Sequence, residues 1–357
     1  MFTLSGTATN RLIHDPPSNP FTDPAALAKL ASQPFVPATI YGTYQIYGQF
    51  CKPTVKEVGR ANTLQVLVPG VTYGHVYWNG FDATPTVGYS YAAFANAKGY
   101  ATLAIDRLGV GKSDHPDPVA IVQRTFQAEL YHDLFKQLRG IGRQRYPMFT
   151  NWQKIIWVGH SFGSALGTYI ATKYSQDADA FILTGTALVV PSAMTKPPTS
   201  PPPSGYVPAT EYDPKLYPPD KFPTDYYLAT NKTGRQSTFY SRPNIDFDTK
   251  QADKDFATEQ TVTLGELLTI QYNTSTTFSG PVFVSTGRND GVVCPPDADC
   301  GEGKHSKIAG MKTYFPAVPY RKFEAYTQPN AGHCHQQHFS APLGFTKAHQ
   351  FLEGQGF

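Results

Sequence analysis

The chain of 357 residues is poor in charge: Asp, Glu, Lys and Arg make up 16%, well under the roughly 25% of an average globular protein. Thirty basic and 27 acidic side chains leave a formal net charge of +3, and no basic cluster breaks that balance. Both facts argue against an electrostatic nucleic-acid binder. Long apolar runs are missing too. The longest, such as Ile155-Ile156-Trp157-Val158, are strand-sized, against the roughly 20 residues of a membrane helix. No fixed period appears, which excludes collagen-like, coiled-coil and repeat architectures. No G-x-G-x-x-G follows any apolar segment, so the dinucleotide fingerprint is absent. Met1-Phe2-Thr3-Leu4-Ser5-Gly6 lacks the charged start and apolar centre of a signal peptide. The chain therefore either has no such peptide or has lost it.

What is present suits a folded enzyme. Hydrophobic residues reach 40% and aromatics 13%, enough for a large core and an apolar pocket, which rules out global disorder. The length fits one large domain with an insertion, or two domains. Cysteine is scarce at four. Cys294 and Cys300 flank a five-residue segment, and a disulfide between them would contribute ~2 kcal/mol. Whether Cys51 and Cys334 pair as well stays open. Two glycosylation sequons occur, at Asn231 and Asn273. With 31 prolines and the low charge, these features point to a secreted protein.

Residues 1–38 read as an N-terminal arm with one short helical patch, Pro24 to Ala31. Ile40 to Phe50 alternates as a strand. Further strands are Leu64 to Val68, Ala101 to Ile105, Lys154 to Val158, Ala180 to Thr184, Val282 to Ser285 and Lys322 to Tyr326. Helical spacing marks Ile121 to Leu138 and Pro342 to Leu352. Short strands, apolar on both faces and alternating with helices, predict a parallel sheet covered on both sides. The pattern breaks over 190–264, where Pro and Tyr abound. A structureless stretch of roughly 70 residues inside a compact domain is improbable, so this segment reads as an inserted cap between core segments 39–189 and 265–357. Its aromatics either line an apolar pocket or glue the cap to the core.

Gly159-His160-Ser161-Phe162-Gly163 fits G-x-S-x-G, and it lies directly between a strand and a small-residue helix. That is the context of a nucleophile elbow, in which glycines avoid Cβ clashes at a sharp turn. A serine hydroxyl needs a base, and the base needs an orienting acid. Asp290 follows a strand through Gly287-Arg288-Asn289 and is the expected acid; Asp297 and Asp299 compete from deeper in the loop. His333 follows the last strand and Gly332, and is the expected base, with His335 as rival. His333, His335 and His338 could instead supply three metal ligands, but no other Cys or His motif supports a metal site. An oxyanion needs two aligned N–H donors. One is expected from Phe162, the other from Val71 after Pro69-Gly70, with Thr72 in reserve. Gly111-Lys112-Ser113 looks like the end of a phosphate loop, but Asp106 stands where its first glycine belongs. It reads as a structural turn.

Together, Leu67-Val68-Pro69-Gly70, Asp106 through Ser113, Gly159 through Gly163, Gly287 through Asp290 and Gly332-His333 resemble the α/β-hydrolase family, in the family's order and over most of the chain outside arm and cap. Pro69 stands where the family usually has histidine. The runs Val71 to Trp78 and Asp290 to Cys300 resemble a fungal, secreted branch. The resemblance implies a mainly parallel eight-stranded sheet with helices on both faces, a cap after the sixth strand, and a site that uses no cofactor or metal. It implies a serine esterase or lactonase acting on a small to medium apolar ester by way of an acyl-enzyme. Relatives that cleave carbon–carbon bonds or cyclise, and relatives that only bind ligand, are the alternatives.

Overall fold

The apolar segments become the centre of one sheet. In the computed structural model, residues 1–17, 23–84, 88–141, 151–188, 205–241, 246–294, 300–301 and 303–357 are described. The strands are β1 (Phe2–Leu12), β2 (Val36–Ile46), β3 (Gly48–Cys51), β4 (Thr63–Val68), β5 (Ala101–Ile105), β6 (Lys154–His160), β7 (Ala180–Thr184), β8 (Tyr206–Pro208), β9 (Tyr227–Thr230), β10 (Val262–Thr263), β11 (Val282–Gly287) and β12 (Phe323–Gln328). The main helices are α1 (Pro24–Ser32), α2 (Tyr91–Ala97), α3 (Arg124–Leu138), α4 (Phe162–Lys173), α5 (Lys232–Phe239), α6 (Thr249–Ala257), α7 (Leu264–Thr269) and α8 (Ala341–Gly354). No helix among the described residues is long and apolar enough to cross a membrane.

The central sheet runs β12-β11-β7-β6-β4-β5-β3. Every neighbouring pair is parallel except β3 with β5. It therefore has seven strands among the described residues, not the expected eight. The reason lies at Tyr47, where the segment expected as one strand divides. The Tyr47 N–H donates to Ser113 Oγ at 2.9 Å and its carbonyl accepts from the Asp106 N–H at 3.0 Å. Before Tyr47 the chain pairs antiparallel with β1 as a separate two-stranded ribbon; after it, the chain joins β5. The stretch read as an arm thus holds an eleven-residue strand, β1. Phe2, Leu4, Ala8 and Asn10 face inward, while Thr3, Ser5, Thr7 and Thr9 face outward. Gly6 is needed where the ribbon crosses α3: a Cβ there would stand 2.8 Å from Glu129 Cβ.

Alternation along each strand feeds two cores. Leu64, Val66, Ile155, Trp157, Phe181, Leu183, Val282 and Val284 pack on one face beside α3 and α4. Leu67, Ile156, Val158, Ile182 and Phe283 pack on the other beside α2 and α8. Gln65 breaks the apolar pattern of β4 because it is satisfied: Tyr91 Oη donates to its Oε1 at 2.9 Å, and its Nε2 lies 3.3 Å from His349 Nε2.

The excursion after β7 carries its own antiparallel sheet, β10-β9-β8, and a small cluster of Ala209, Tyr217, Phe222, Tyr227 and Ala229. Tyr217 and Tyr227 meet the Phe222 ring edge-on at 5.5 and 5.3 Å. These aromatics pack on one another and hold the excursion together. The Pro-rich run from Pro197 to Pro203 lies outside the described residues.

Candidate active site

The strand β6 ends in a turn tight enough to exclude side chains on both flanks. A Cβ on Gly159 would stand 2.4 Å from the Gly163 carbonyl oxygen, and one on Gly163 would stand 2.1 Å from the Val68 oxygen. Between them Ser161 sits at φ 52°, ψ −113°, a left-handed value that costs a non-glycine residue about 1–3 kcal/mol. Hydrogen bonds fix the turn. The Ser161 N–H donates to the Thr184 carbonyl at 2.8 Å, and Ser164 Oγ lies 3.0 Å from the Gly159 carbonyl and 2.8 Å from that of Thr184. Ser161 is half-buried. Its hydroxyl makes no hydrogen bond to any described residue, His333 included.

Asp290 and His333 come from loops after β11 and β12. The loops are zipped together: Arg288 N–H donates to the Gln328 carbonyl at 2.9 Å and Asn289 N–H to that of Ala331 at 2.8 Å. His333 Nδ1 lies 2.8 Å from Asp290 Oδ2. With Nδ1 donating, Nε2 carries the lone pair that a base needs. Asp290 is fully buried. Its Oδ2 also accepts from Thr286 Oγ1, and its Oδ1 accepts from the N–H groups of Val292 (2.8 Å) and Val293 (3.0 Å). Burial pushes this carboxyl up, but the His333 charge and these hydrogen bonds outweigh it and hold it below the usual carboxylate range. The His333 ring stands at the same sheet edge as Ser161. A Cβ on Gly185, next to Thr184, would lie 3.2 Å from His333 Cε1.

The neighbouring histidines do different work. His338 Nδ1 lies 3.0 Å from the Cys334 carbonyl, and its Nε2 accepts from the N–H groups of Ser241 and Gly332, both at 3.1 Å. It staples the His333 loop to the end of α5. His335 Nδ1 meets Gln328 Oε1 at 2.9 Å. Burial keeps both neutral, at about 4 for His338 and about 3 for His335. His335 therefore faces an amide, and it is His333 that meets the carboxylate. His160 stacks on Tyr77 at 4.7 Å and lies 5.1 Å from the His333 ring. Burial, then His333 and His335, hold it well below the ordinary imidazole value. Among the described residues no three His, Cys, Asp or Glu side chains gather as a metal site.

The loop after β4 lies against Ser161. A Cβ on Gly70 would stand 2.9 Å from Ser161 Cβ, so only glycine permits this approach. Arg107, fully buried, donates through Nη2 to the Gly70 carbonyl at 3.0 Å. It pairs with Glu266, and its guanidinium lies 5.0 Å from the Phe162 ring centre. Thr72 follows at φ 61°, a genuine outlier for a β-branched residue. The N–H groups of Val71 and of Phe162, at the start of α4, make no hydrogen bond to any described residue.

Sequence reasoning did not find Arg107, Arg235 or the roles of His160, His335 and His338. Arg107 stands inside a motif legible as a turn. That turn is as expected: Asp106 accepts from the Lys112 N–H at 3.0 Å and from His75 Nδ1 at 2.8 Å, and Ser113 Oγ donates to the Asp106 carbonyl at 2.7 Å. Asp297 and Asp299 lie outside the described residues. Cys294 and Cys300 form a disulfide; Cys51 and Cys334 are free thiols. Asn231 caps α5, its Oδ1 accepting from the Gly234 N–H at 2.8 Å, and Asn273 Oδ1 accepts from Arg124.

Residues 65–346 match a family model described as the alpha/beta hydrolase family. No curated protein matches the chain in sequence. Among solved structures, Rv0554 from Mycobacterium tuberculosis is similar at 13% identity and a TM-score of 0.53, over 99% of each chain. The epoxide hydrolase VrEH1 from Vigna radiata gives 12% and 0.52, over 87% of this chain and 94% of its own. The methylesterase MES16 from Arabidopsis gives 12% and 0.51, over 82% and 99%. At such identities the likeness is one of fold.

Proposed function

The chain belongs to the alpha/beta hydrolase family, and from that premise we propose that it is a serine carboxylic-ester hydrolase of esterase or lactonase type. Its substrate is a small to medium apolar ester, and its intermediate is an acyl-enzyme. Ser161 attacks the carbonyl carbon. His333 Nε2 takes the hydroxyl proton and returns it to the leaving alcohol. Asp290 orients the imidazole and stabilises its cation. The N–H groups of Phe162 and Val71 receive the oxyanion. Water, activated by His333, then releases the acid and restores Ser161.

The observation that carries this reading is the His333–Asp290 hydrogen bond, 2.8 Å long and almost fully buried, at the sheet edge where Ser161 holds a positive φ with a hydroxyl bonded to no described residue. In this reading 190–264 is the cap, 39–189 and 265–357 the core, and 1–38 an N-terminal arm that lies on the core, its β1 paired with β2 and its Phe2, Leu4 and Ala8 in the core cluster. The disulfide and the low charge support a secreted protein.

A fluorophosphonate probe and a panel of esters and lactones test the reading, with Ser161→Ala as control. Labelling and turnover are expected in the wild type, and loss of both in the variant, by several powers of ten in rate. Labelling that persists in Ser161→Ala sinks the nucleophile assignment.

A further inference from the structure

Thr72 is fully buried at φ 61°, a backbone region that a β-branched side chain holds only when its surroundings over-determine it. Three hydrogen bonds do so here, and all come from the excursion between β8 and β10. Arg235 on α5 donates through Nη1 to Thr72 Oγ1 at 2.7 Å and through Nη2 to the Thr72 carbonyl at 3.4 Å. The Gln260 N–H donates to that same carbonyl at 3.0 Å. No residue of the central sheet shares this task among the described hydrogen bonds.

Arg235 is itself held on every side. Its Nε and Nη2 meet the two oxygens of Asp255 on α6 at 2.9 and 2.6 Å. Nη1 lies 3.3 Å from Thr230 Oγ1 and 3.4 Å from Glu259. The guanidinium carbon sits 4.4 Å from the Tyr73 ring centre and 5.2 Å from that of Phe239. A planar fork so constrained has a single orientation. The ion pair alone does not explain it, because buried pairs are often replaceable by well-packed apolar groups without loss. What such a replacement would not reproduce is the pair of donors aimed at Thr72, the residue after Val71.

We infer that Arg235 is a positioning residue: it fixes the Thr72 backbone, and with it the direction of the Val71 N–H toward the oxygen bound beside Ser161. Arg107 holds the Gly70–Val71 peptide from the core through the Gly70 carbonyl, and Arg235 adds a second hold, one residue on, from outside the central sheet. This rests on the esterase reading above.

Thr72→Val keeps side-chain volume and the Arg235–Asp255 pair but removes the oxygen that accepts from Nη1. We expect kcat on a nitrophenyl ester to fall about tenfold with KM nearly unchanged, the signature of an interaction made in the transition state. Phosphonylation of Ser161 should slow in parallel. Thr72→Ser restores the acceptor and should recover both rates. Arg235→Lys keeps a charge beside Asp255, loses the fork, and should behave as Thr72→Val. Amide hydrogen exchange across residues 69–76 of the full chain gives a readout independent of turnover, and it should quicken in Thr72→Val and Arg235→Lys. If the wild type neither turns over esters nor is labelled at Ser161, the esterase reading fails, and exchange alone then decides the clamp. Folded Thr72→Val with wild-type kcat and wild-type exchange overturns it. Equal loss in Thr72→Val and Thr72→Ser overturns it too, since the hydroxyl would then be irrelevant.

Discussion

Gly287 and Gly332 stand backbone to backbone: a Cβ on Gly287 would lie 2.2 Å from the Gly332 carbonyl oxygen. This contact sets how closely the loops carrying Asp290 and His333 approach. Gly287→Ala should force them apart, at a cost of about 1–3 kcal/mol of stability, and lower kcat by about tenfold or more. Thermal melting and steady-state kinetics on one preparation check both.

Asp290→Asn preserves shape and removes the charge. The expected fall in kcat is about three to four powers of ten, with KM little changed. A variant within tenfold of wild type would point to another acid, such as Asp297 or Asp299. The same substitution tests linkage. The folded Asp290 carboxyl titrates below its ordinary range, so its contribution to stability is complete above about pH 4 and disappears as pH falls further. Asp290→Asn should lose less stability than wild type as pH falls below about 4, followed by denaturant unfolding.

The buried histidines act in a higher window. Burial lowers His349 to about 4, whereas an unfolded histidine takes its proton near 6.5. Stability is therefore full above about pH 6.5 and is lost as pH falls toward 4, by up to about 1.4 kcal/mol per pH unit for each such side chain. His349→Leu should flatten that slope by about one proton's worth. Urea unfolding at several pH values between these limits measures it.

The disulfide borders the acid. The Cys294 N–H donates to the Asp290 carbonyl at 3.0 Å, one residue beyond the two N–H groups that hold its side chain. Reduction should remove ~2 kcal/mol and lower kcat more than KM. Cys294→Ala/Cys300→Ala, assayed beside reduced wild type, should give matching losses.

The sheet is legible where apolar residues occupy both faces. Ala101–Ile105 and Ala180–Thr184 are strands with the bounds read from the sequence, because glycine or aspartate turns end each one. The candidate site is legible for the same reason: Ser161, Asp290 and His333 each follow a strand and a glycine that close packing requires. The ribbon strand β1 is not legible, since its inward positions include Gly6 and Asn10 and its outward ones are small hydroxyl residues. Asn10 is at home there because its Nδ2 donates to the Ala120 carbonyl at 2.8 Å, a partner 110 positions away. Arg235 is hidden likewise. Nothing near it in sequence announces Thr72, 163 positions distant, and its local context reads as a sequon helix.

The helix α5 is tied to a loop of the core at each of its ends. Arg235 grips Thr72 on one side, and on the other the Phe239 carbonyl takes the Cys334 N–H at 2.8 Å, beside His333. The helix α5 is thus a rivet between the loop that carries Val71 and the loop that carries His333, so a change that displaces it reaches both together.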